Sequence, residues 1–226
     1  MLTKLKIMSK IKHVSFDFWG TIANPNPEFY KARENYLSEI THQTPEFIRD
    51  KFRFYKLEYE ALGKKHLVGV PAQTQTLALL ESLGFKYDRN SFNQIYGHLV
   101  ELYYKFPPIL ILDLNVISNL MGRGLTFSIT CNTGFLDGEM VENWLEKNTL
   151  LCDVFELFIF SDKNDNLFKP NPLICQKIMK YFDCKSPTQI LHVGDDDTTD
   201  GELCRRTGMQ YFKVVGNNYA DILNYV

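Results

Sequence analysis

The chain has 226 residues, 45% hydrophobic and 14% aromatic, and its charged side chains nearly cancel to a formal net charge of −2. That is apolar material for one sizeable core, or a core with an inserted subdomain. So even a balance gives no electrostatic case for nucleic acid or a membrane surface as a partner.

Five cysteines, Cys131, Cys152, Cys175, Cys184 and Cys204, are scattered without a C-x-x-C pair, the usage expected of reduced thiols in a cytoplasmic protein. The start, MLTKLKIMSKIK, is basic but is followed by no unbroken apolar stretch of roughly 7–15 residues, and reads as a ragged N-terminus rather than a signal peptide. No run of about 18 apolar residues predicts a membrane span.

In chain order, the first apolar run is KHVSFDF, residues 12–18, a strand bounded by Gly20. Helical spacing follows. Thr44 and Pro45 make a start signal, and Ile48, Phe52, Tyr55, Tyr59 and Leu62 then recur at steps of four and three on one helical face. Residues 72–83, closed by Gly84, form another helix, and residues 91–104 repeat the pattern through Phe92, Ile95, Leu99 and Tyr103 until Pro107 and Pro108 stop it. After Pro108 short apolar runs at 124–132, 155–161, 189–195 and 209–215 alternate with helical segments at 114–121, 138–147, 172–181 and 201–207. Such alternation predicts parallel β-α units, and continuous apolar strands predict a sheet buried on both faces. The expected fold is therefore α/β, a doubly wound parallel sheet built from residues 1–24 and 107–226, with an all-helical insert at 25–106.

Ligands of such sheets sit beyond the carboxyl ends of the strands, and four polar groups fall there. The first strand delivers Asp17, Gly20 and Thr21; the next delivers Cys131, Asn132 and Thr133; the loop SDKNDNLFKPNP delivers Lys169; and the last delivers Asp195, Asp196, Asp197 and Asp200. Each has a plain structural alternative: D-x-x-G-T is a common turn, CNTG is turn chemistry, KPNP is a helix start, and DDDTTD is a solvated helix N-terminus. Their conjunction is harder to dismiss. Clustered carboxylates with one lysine describe a Mg²⁺ site, since Mg²⁺ takes oxygen ligands and carboxylates packed without a cation repel.

With DFWGT, TCNTG, KPNP and HVGDDDTTD in this order, the chain resembles the haloacid dehalogenase-like superfamily over residues 12–215, and the helical insert is similar to that family's type 1 cap. The resemblance implies a hydrolase. Asp17 would be the nucleophile of an aspartyl-phosphate, and Asp17, the backbone carbonyl of Trp19, Asp195 and Asp200, directly or through water, would hold Mg²⁺. Lys169 would neutralise charge beside the nucleophile, and Thr21, Cys131, Asn132 and Thr133 would hold the phosphate of a small phosphorylated metabolite.

Two residues depart from the family's pattern. Trp19 stands where its phosphatases carry an acid/base aspartate, and indole only donates a hydrogen bond. Loss of such help costs about 10²–10⁴-fold, most for leaving groups that must accumulate charge on oxygen. Cys131 stands where the family has Ser or Thr. Efficient turnover is thus expected only on activated leaving groups. The alternatives are a catalytically weak protein binding a phosphorylated ligand or a partner, and a metal-independent 2-haloacid dehalogenase, whose family relatives often carry an aromatic residue at the Trp19 position.

Other signals read as structure. The five histidines show no metal-ligand spacing, and His192 on a predicted core strand reads as packing. G-x-S-x-G and G-x-x-x-x-G-K-[ST] are absent. RDKFRFYKLEYE, residues 49–60, fits an amphipathic helix of the insert better than a nucleic-acid contact. Trp144 reads as packing. A helical lid would admit small molecules and exclude water, and the stretches at 24–27 and 106–108, where the chain crosses into and out of the insert, are candidate hinges.

Overall fold

The computed structural model describes residues 10–147, 151, 153–163 and 165–226; the residues read as a ragged N-terminus up to Ser9, and Cys152, lie outside the described residues. The first strand, β1 (His13–Phe16), is shorter than expected at both ends, but Asp17 continues its line by donating its N–H to the Val193 carbonyl at 2.8 Å. The chain then turns through β2 (Ala23–Asn24) into four helices: α1 (Pro27–Thr41), α2 (Pro45–His66), α3 (Ala72–Ser82) and α4 (Arg89–Lys105). It returns through β3 (Ile109–Leu110). From there α5 (Leu114–Gly122), β4 (Thr126–Cys131), α6 (Gly138–Lys147), β5 (Leu157–Phe160), α7 (Leu173–Tyr181), β6 (Ile190–Gly194), α8 (Glu202–Thr207) and β7 (Gln210–Lys213) alternate.

The strands form a five-stranded parallel sheet in the order β5-β4-β1-β6-β7. His13 lies opposite Thr126 on one side and Ile190 on the other. That register makes β1 the central strand and sets Asp17 between the carboxyl ends of β4 and β6. Val14, Phe16, Ile129, Leu191 and Val193 are fully buried, at roughly 1.5–3 kcal/mol for each such side chain, so the sheet that carries the site is anchored in the main core.

The four helices have a core of their own, built on Leu37, Ile48, Leu79, Leu80 and Phe92. Local chemistry sets their starts: Asn26 accepts from the Glu28 N–H, Thr44 from the Phe47 N–H with Pro45 following, and Asp88 and Ser91 form a reciprocal capping box. That box starts α4 two residues earlier than the apolar spacing suggested. On α2 the expected face divides. Ile48 and Phe52 are buried, but Leu62 is exposed, and Gly63 instead packs under the Phe168 ring. At that end the buried side of the helix has therefore turned away from the expected stripe, towards Phe168.

The two crossings lie side by side. Ala23 pairs with Leu110 and Asn24 with Ile109 in a two-stranded antiparallel ribbon, and Asn26 donates from Nδ2 to the Pro107 carbonyl at 3.1 Å. Among the described residues no helix is long and apolar enough to cross a membrane. Cys131, Cys175, Cys184 and Cys204 are free thiols, all buried.

Candidate active site

The strand ends converge as the sequence expects. The turn after β1 closes on the Phe18 carbonyl, which accepts from the N–H groups of Ile22 at 2.8 Å and Ala23 at 3.0 Å. Gly20 has φ +75°, and a Cβ there would meet Asp195 Oδ2 at 2.3 Å, so only glycine lets the two loops approach. Beyond β6 the chain enters a π turn, Asp197–Gly201, which swings Asp200 back under Gly194; a Cβ on Gly194 would lie 2.3 Å from the Asp200 carboxyl carbon.

At the centre, Lys169 Nζ donates to Asp17 Oδ1 at 2.6 Å and to Asp200 Oδ1 at 2.7 Å. Lys169 is 2% exposed and Asp200 0%. Carboxylate oxygens of Asp17, Asp195 and Asp200 lie within 4.8 Å of one another. Asn132 places the lysine by gripping its backbone, accepting its N–H at 2.7 Å and donating to its carbonyl at 3.2 Å. From the helical side, the Leu67 carbonyl at the end of α2 accepts from the Phe168 N–H and from Asn171 Nδ2.

His192, read from the sequence as packing, is buried, but it also donates from Nε2 to Asp200 Oδ1 at 2.9 Å. A carboxylate only accepts, so a neutral ring must accept at Nδ1, which lies 3.1 Å from the Ser15 hydroxyl. Ser15 in turn accepts from Thr130 at 3.0 Å. A chain of hydroxyls thus fixes the histidine, and the histidine fixes Asp200.

Burial sets the electrostatics. It raises the Asp17 pKa to about 7, with help from the Asp200 and Asp195 carboxylates and against the pull of Lys169. Burial alone would depress Lys169, but Asp17 and Asp200 outweigh it and hold the ammonium above its ordinary range. Burial would likewise raise Asp200, yet Lys169 and His192 hold it below the usual carboxylate range. Asp195 is raised by partial burial and by Asp200, and His192 is lowered by burial. Three carboxylates face one ammonium, so the cluster carries a net negative charge once they ionise. The donor set is all oxygen, so these residues fit a hard divalent cation such as Mg²⁺.

Of the residues expected to hold the phosphate, Asn132 and Thr133 line the cavity, and Cys131 and Thr21 do not. Cys131 is 1% exposed, packs in the main apolar cluster and does not line the cavity, and burial pushes its thiol well above the ordinary value. Thr130, on the opposite face of the strand, is committed to Ser15. Thr21 is fully buried off the cavity wall, with its hydroxyl unpartnered among the described residues. Thr133 lines the cavity, but its hydroxyl donates to Asp162 Oδ1 at 2.6 Å and its N–H to Ser161 Oγ at 2.9 Å. Asp162 also accepts from the Gly138 N–H at the start of α6 at 3.0 Å. Asp196 accepts from the Thr198 N–H to start the π turn, and Asp197 pairs with Lys213. Trp144 packs edge-on against Phe18.

A cavity of about 1030 Å³ opens above this floor. Asp17, Trp19, Asn132, Lys169 and Asp195 line its base, and α1 and α2 line its roof. The roof is tied down by Lys64, whose ammonium donates to the Thr198 hydroxyl at 2.9 Å, and by Tyr96 of α4, which donates to Asp137 at 2.7 Å. Arg33 of α1 and Phe52 of α2 line this roof, and helical spacing alone marks neither as a site residue. Asp162 was within reach of the strand-end rule, one residue beyond Ser161.

No protein-family model matches the chain, and no curated protein matches it in sequence. Solved structures do. A HAD phosphatase from Thermococcus onnurineus is 20% identical, with 93% of this chain and 90% of that one covered at a TM-score of 0.65. A HAD family enzyme from Bacteroides thetaiotaomicron, in complex with magnesium and inorganic phosphate, is 16% identical, with 94% and 98% covered at 0.60. The L-2-haloacid dehalogenase of Xanthobacter autotrophicus is 20% identical, with 90% and 77% covered at 0.61. The chain has the haloacid dehalogenase-like fold, an α/β core with a helical cap.

Proposed function

We propose that the chain is a hydrolase, a Mg²⁺-dependent phosphatase acting on a small phosphorylated metabolite through an aspartyl-phosphate at Asp17. The observation that carries this reading is the buried Asp17–Lys169–Asp200 bridge beside Asp195, at the floor of a roofed cavity. Asp17, the Trp19 carbonyl and Asp195, with Asp200 directly or through water, would hold the cation. When bound, the ion would supply the positive charge that keeps the Asp17 carboxylate ionised and offsets the phosphoryl oxygens.

The rest falls to the chain's own residues. Asp17 attacks phosphorus; the bond from its carboxylate oxygen forms as the bond to the leaving oxygen breaks, and that oxygen keeps the electron pair. Trp19 has no proton to give at neutral pH, so the leaving oxygen takes one from water. Water then attacks phosphorus, its proton passes to solvent, and the bond to Asp17 breaks to release inorganic phosphate and restore the carboxylate. Lys169 keeps its proton throughout and holds Asp17 in place. Backbone N–H groups around Asn132 orient the phosphoryl group; Cys131 has no part, since it does not face the cavity. Activated leaving groups such as aryl and acyl phosphates are favoured.

The test is phosphate release from an aryl phosphate with and without Mg²⁺, in the native protein and in Asp17→Asn. Turnover should need both the ion and the aspartate, and turnover indifferent to both removes Asp17 from its role. Trp19 supports a second reading, a protein that binds a phosphorylated ligand without turning it over; calorimetry showing Mg²⁺-dependent binding with no phosphate release would favour it. Metal-independent dehalogenation fits less well, because it leaves three clustered carboxylates with one lysine; halide release in chelator would establish it.

A further inference from the structure

Arg33 is the unusual residue of the cavity roof. It sits on α1, is 8% exposed and lines the cavity. Its guanidinium lies over the Phe52 ring at 3.5 Å and the Tyr30 ring at 4.9 Å. It makes no hydrogen bond or ion pair with any described residue, and its buried Nε is unpartnered. The neighbouring carboxylate does not serve it: Glu34 Oε2 is taken by Arg49, from Nε at 3.0 Å and from Nη2 at 2.8 Å. Burial lowers even the Arg33 pKa, to about 10, with Tyr30 and Glu34 opposing.

A buried guanidinium without an acceptor is costly, and arginine cannot escape the cost by losing its proton at neutral pH. The aromatic faces offset part of it. They leave the fork of donors free on the cavity side, the geometry that carboxylate and phosphate match. We propose that Arg33, held over the Phe52 ring, is a specificity-determining residue that binds a second anionic group, a carboxylate or phosphate on the part of the substrate remote from Asp17. The substrate class is then a doubly anionic phosphate ester, with an apolar portion against Tyr30 and Phe52. This deepens the phosphatase reading and rests on it for the word substrate, but not for the binding itself.

The experiment has an arm that needs turnover and one that does not. In the first, kcat/KM is compared for phenyl phosphate, 4-carboxyphenyl phosphate and 1,4-phenylene bisphosphate, in the native protein and in Arg33→Met. The native protein should prefer a doubly charged ester by about 10–100-fold, the range of a charge-assisted hydrogen-bonded pair, and in Arg33→Met the ratio should fall towards one. Which of the two esters is preferred tells carboxylate from phosphate. In the second arm, calorimetry compares 4-hydroxybenzoate and phenyl phosphonate with phenol as ligands of the same proteins; a preference for an anion that vanishes in Arg33→Met supports the assignment even if no ester is hydrolysed, in which case only the phosphatase reading falls. Equal binding of anion and phenol by the native protein, or a preference that persists in Arg33→Met, overturns it. Should Arg33→Met not fold, Arg33→Lys keeps the charge without the fork and should lose most of the preference; an unchanged ratio there also overturns the proposal.

Discussion

On the floor of the cavity, every charged group of the Lys169–Asp200 pair is engaged: the lysine bridges two carboxylates, and Asp200 takes Lys169, His192 and the Asp196 N–H. On the roof, Arg33 lies among aromatic rings with no acceptor, and the Glu34–Arg49 pair is half open to solvent, Arg49 being largely exposed. The floor's charged groups hold one another in fixed positions by hydrogen bonds, which is what stabilising a developing charge demands. The roof holds one charge in waiting. On the proposed reading, reaction type belongs to the sheet edge and substrate choice to a pair of helices, two different parts of the fold.

The sharpest way to break this contrast is to remove the central cation. Lys169→Met leaves Asp17 and Asp200 buried with no ammonium between them, and should cost about 3–5 kcal/mol of stability, read by thermal or denaturant unfolding. Mg²⁺ should recover part of that loss. A folded variant with native stability would mean that the floor is not a strained charge cluster. Next in size is Trp19→Asp. If the indole withholds general acid help, the variant should gain about 10²-fold on an alkyl phosphate, the low end of such contributions because a large ring is replaced by a small group, with little gain on an aryl phosphate. A folded variant with equal gains on both would separate Trp19 from the leaving group.

The smallest effect is a slope. Without cation the folded pKa of Asp17 lies above its unfolded value, near 7 against 3.8. The folded state therefore holds the extra proton between about pH 4 and 7, and stability falls as pH rises through that window. Asparagine cannot ionise, so Asp17→Asn should gain stability over the native protein progressively from pH 4 to 7, and Mg²⁺ should abolish the difference. The roof variant Arg33→Met should show no such slope there, since burial lowers the Arg33 pKa only to about 10, well above that window. A slope of opposite sign for Asp17→Asn would mean that Lys169 outweighs burial at Asp17.

Much of the floor was legible in the sequence because it is local. A parallel strand ends where its apolar run ends, so Asp17, Lys169, Asp195 and Asp200 were placed by their positions beside β1, β5 and β6 before any contact was known. His192 was read only as packing because its partner, Asp200, is brought beneath it by a π turn that periodicity does not reveal. Cys131 and Thr21 were placed by motif alone; the strand and turn geometry puts both away from the cavity. Leu62 shows the limit of helical spacing, which identifies a candidate face but not how far along the helix that face stays covered. Ribbon β2–β3, two residues a side, is below the length at which alternation is detectable. Arg33 was hidden for a deeper reason: a charged residue on an amphipathic helix looks solvated unless the packing of that helix over a cavity is known.

In the proposed reaction Asp17 forms a bond to phosphorus. The most direct measurement is mass spectrometry of the protein acid-quenched within milliseconds of mixing with an aryl phosphate and Mg²⁺. A phosphoryl adduct on the peptide bearing Asp17, lost on longer incubation and absent in Asp17→Asn, is the predicted result. Phosphate release at full rate with no adduct on that peptide, and undiminished in Asp17→Asn, would contradict it.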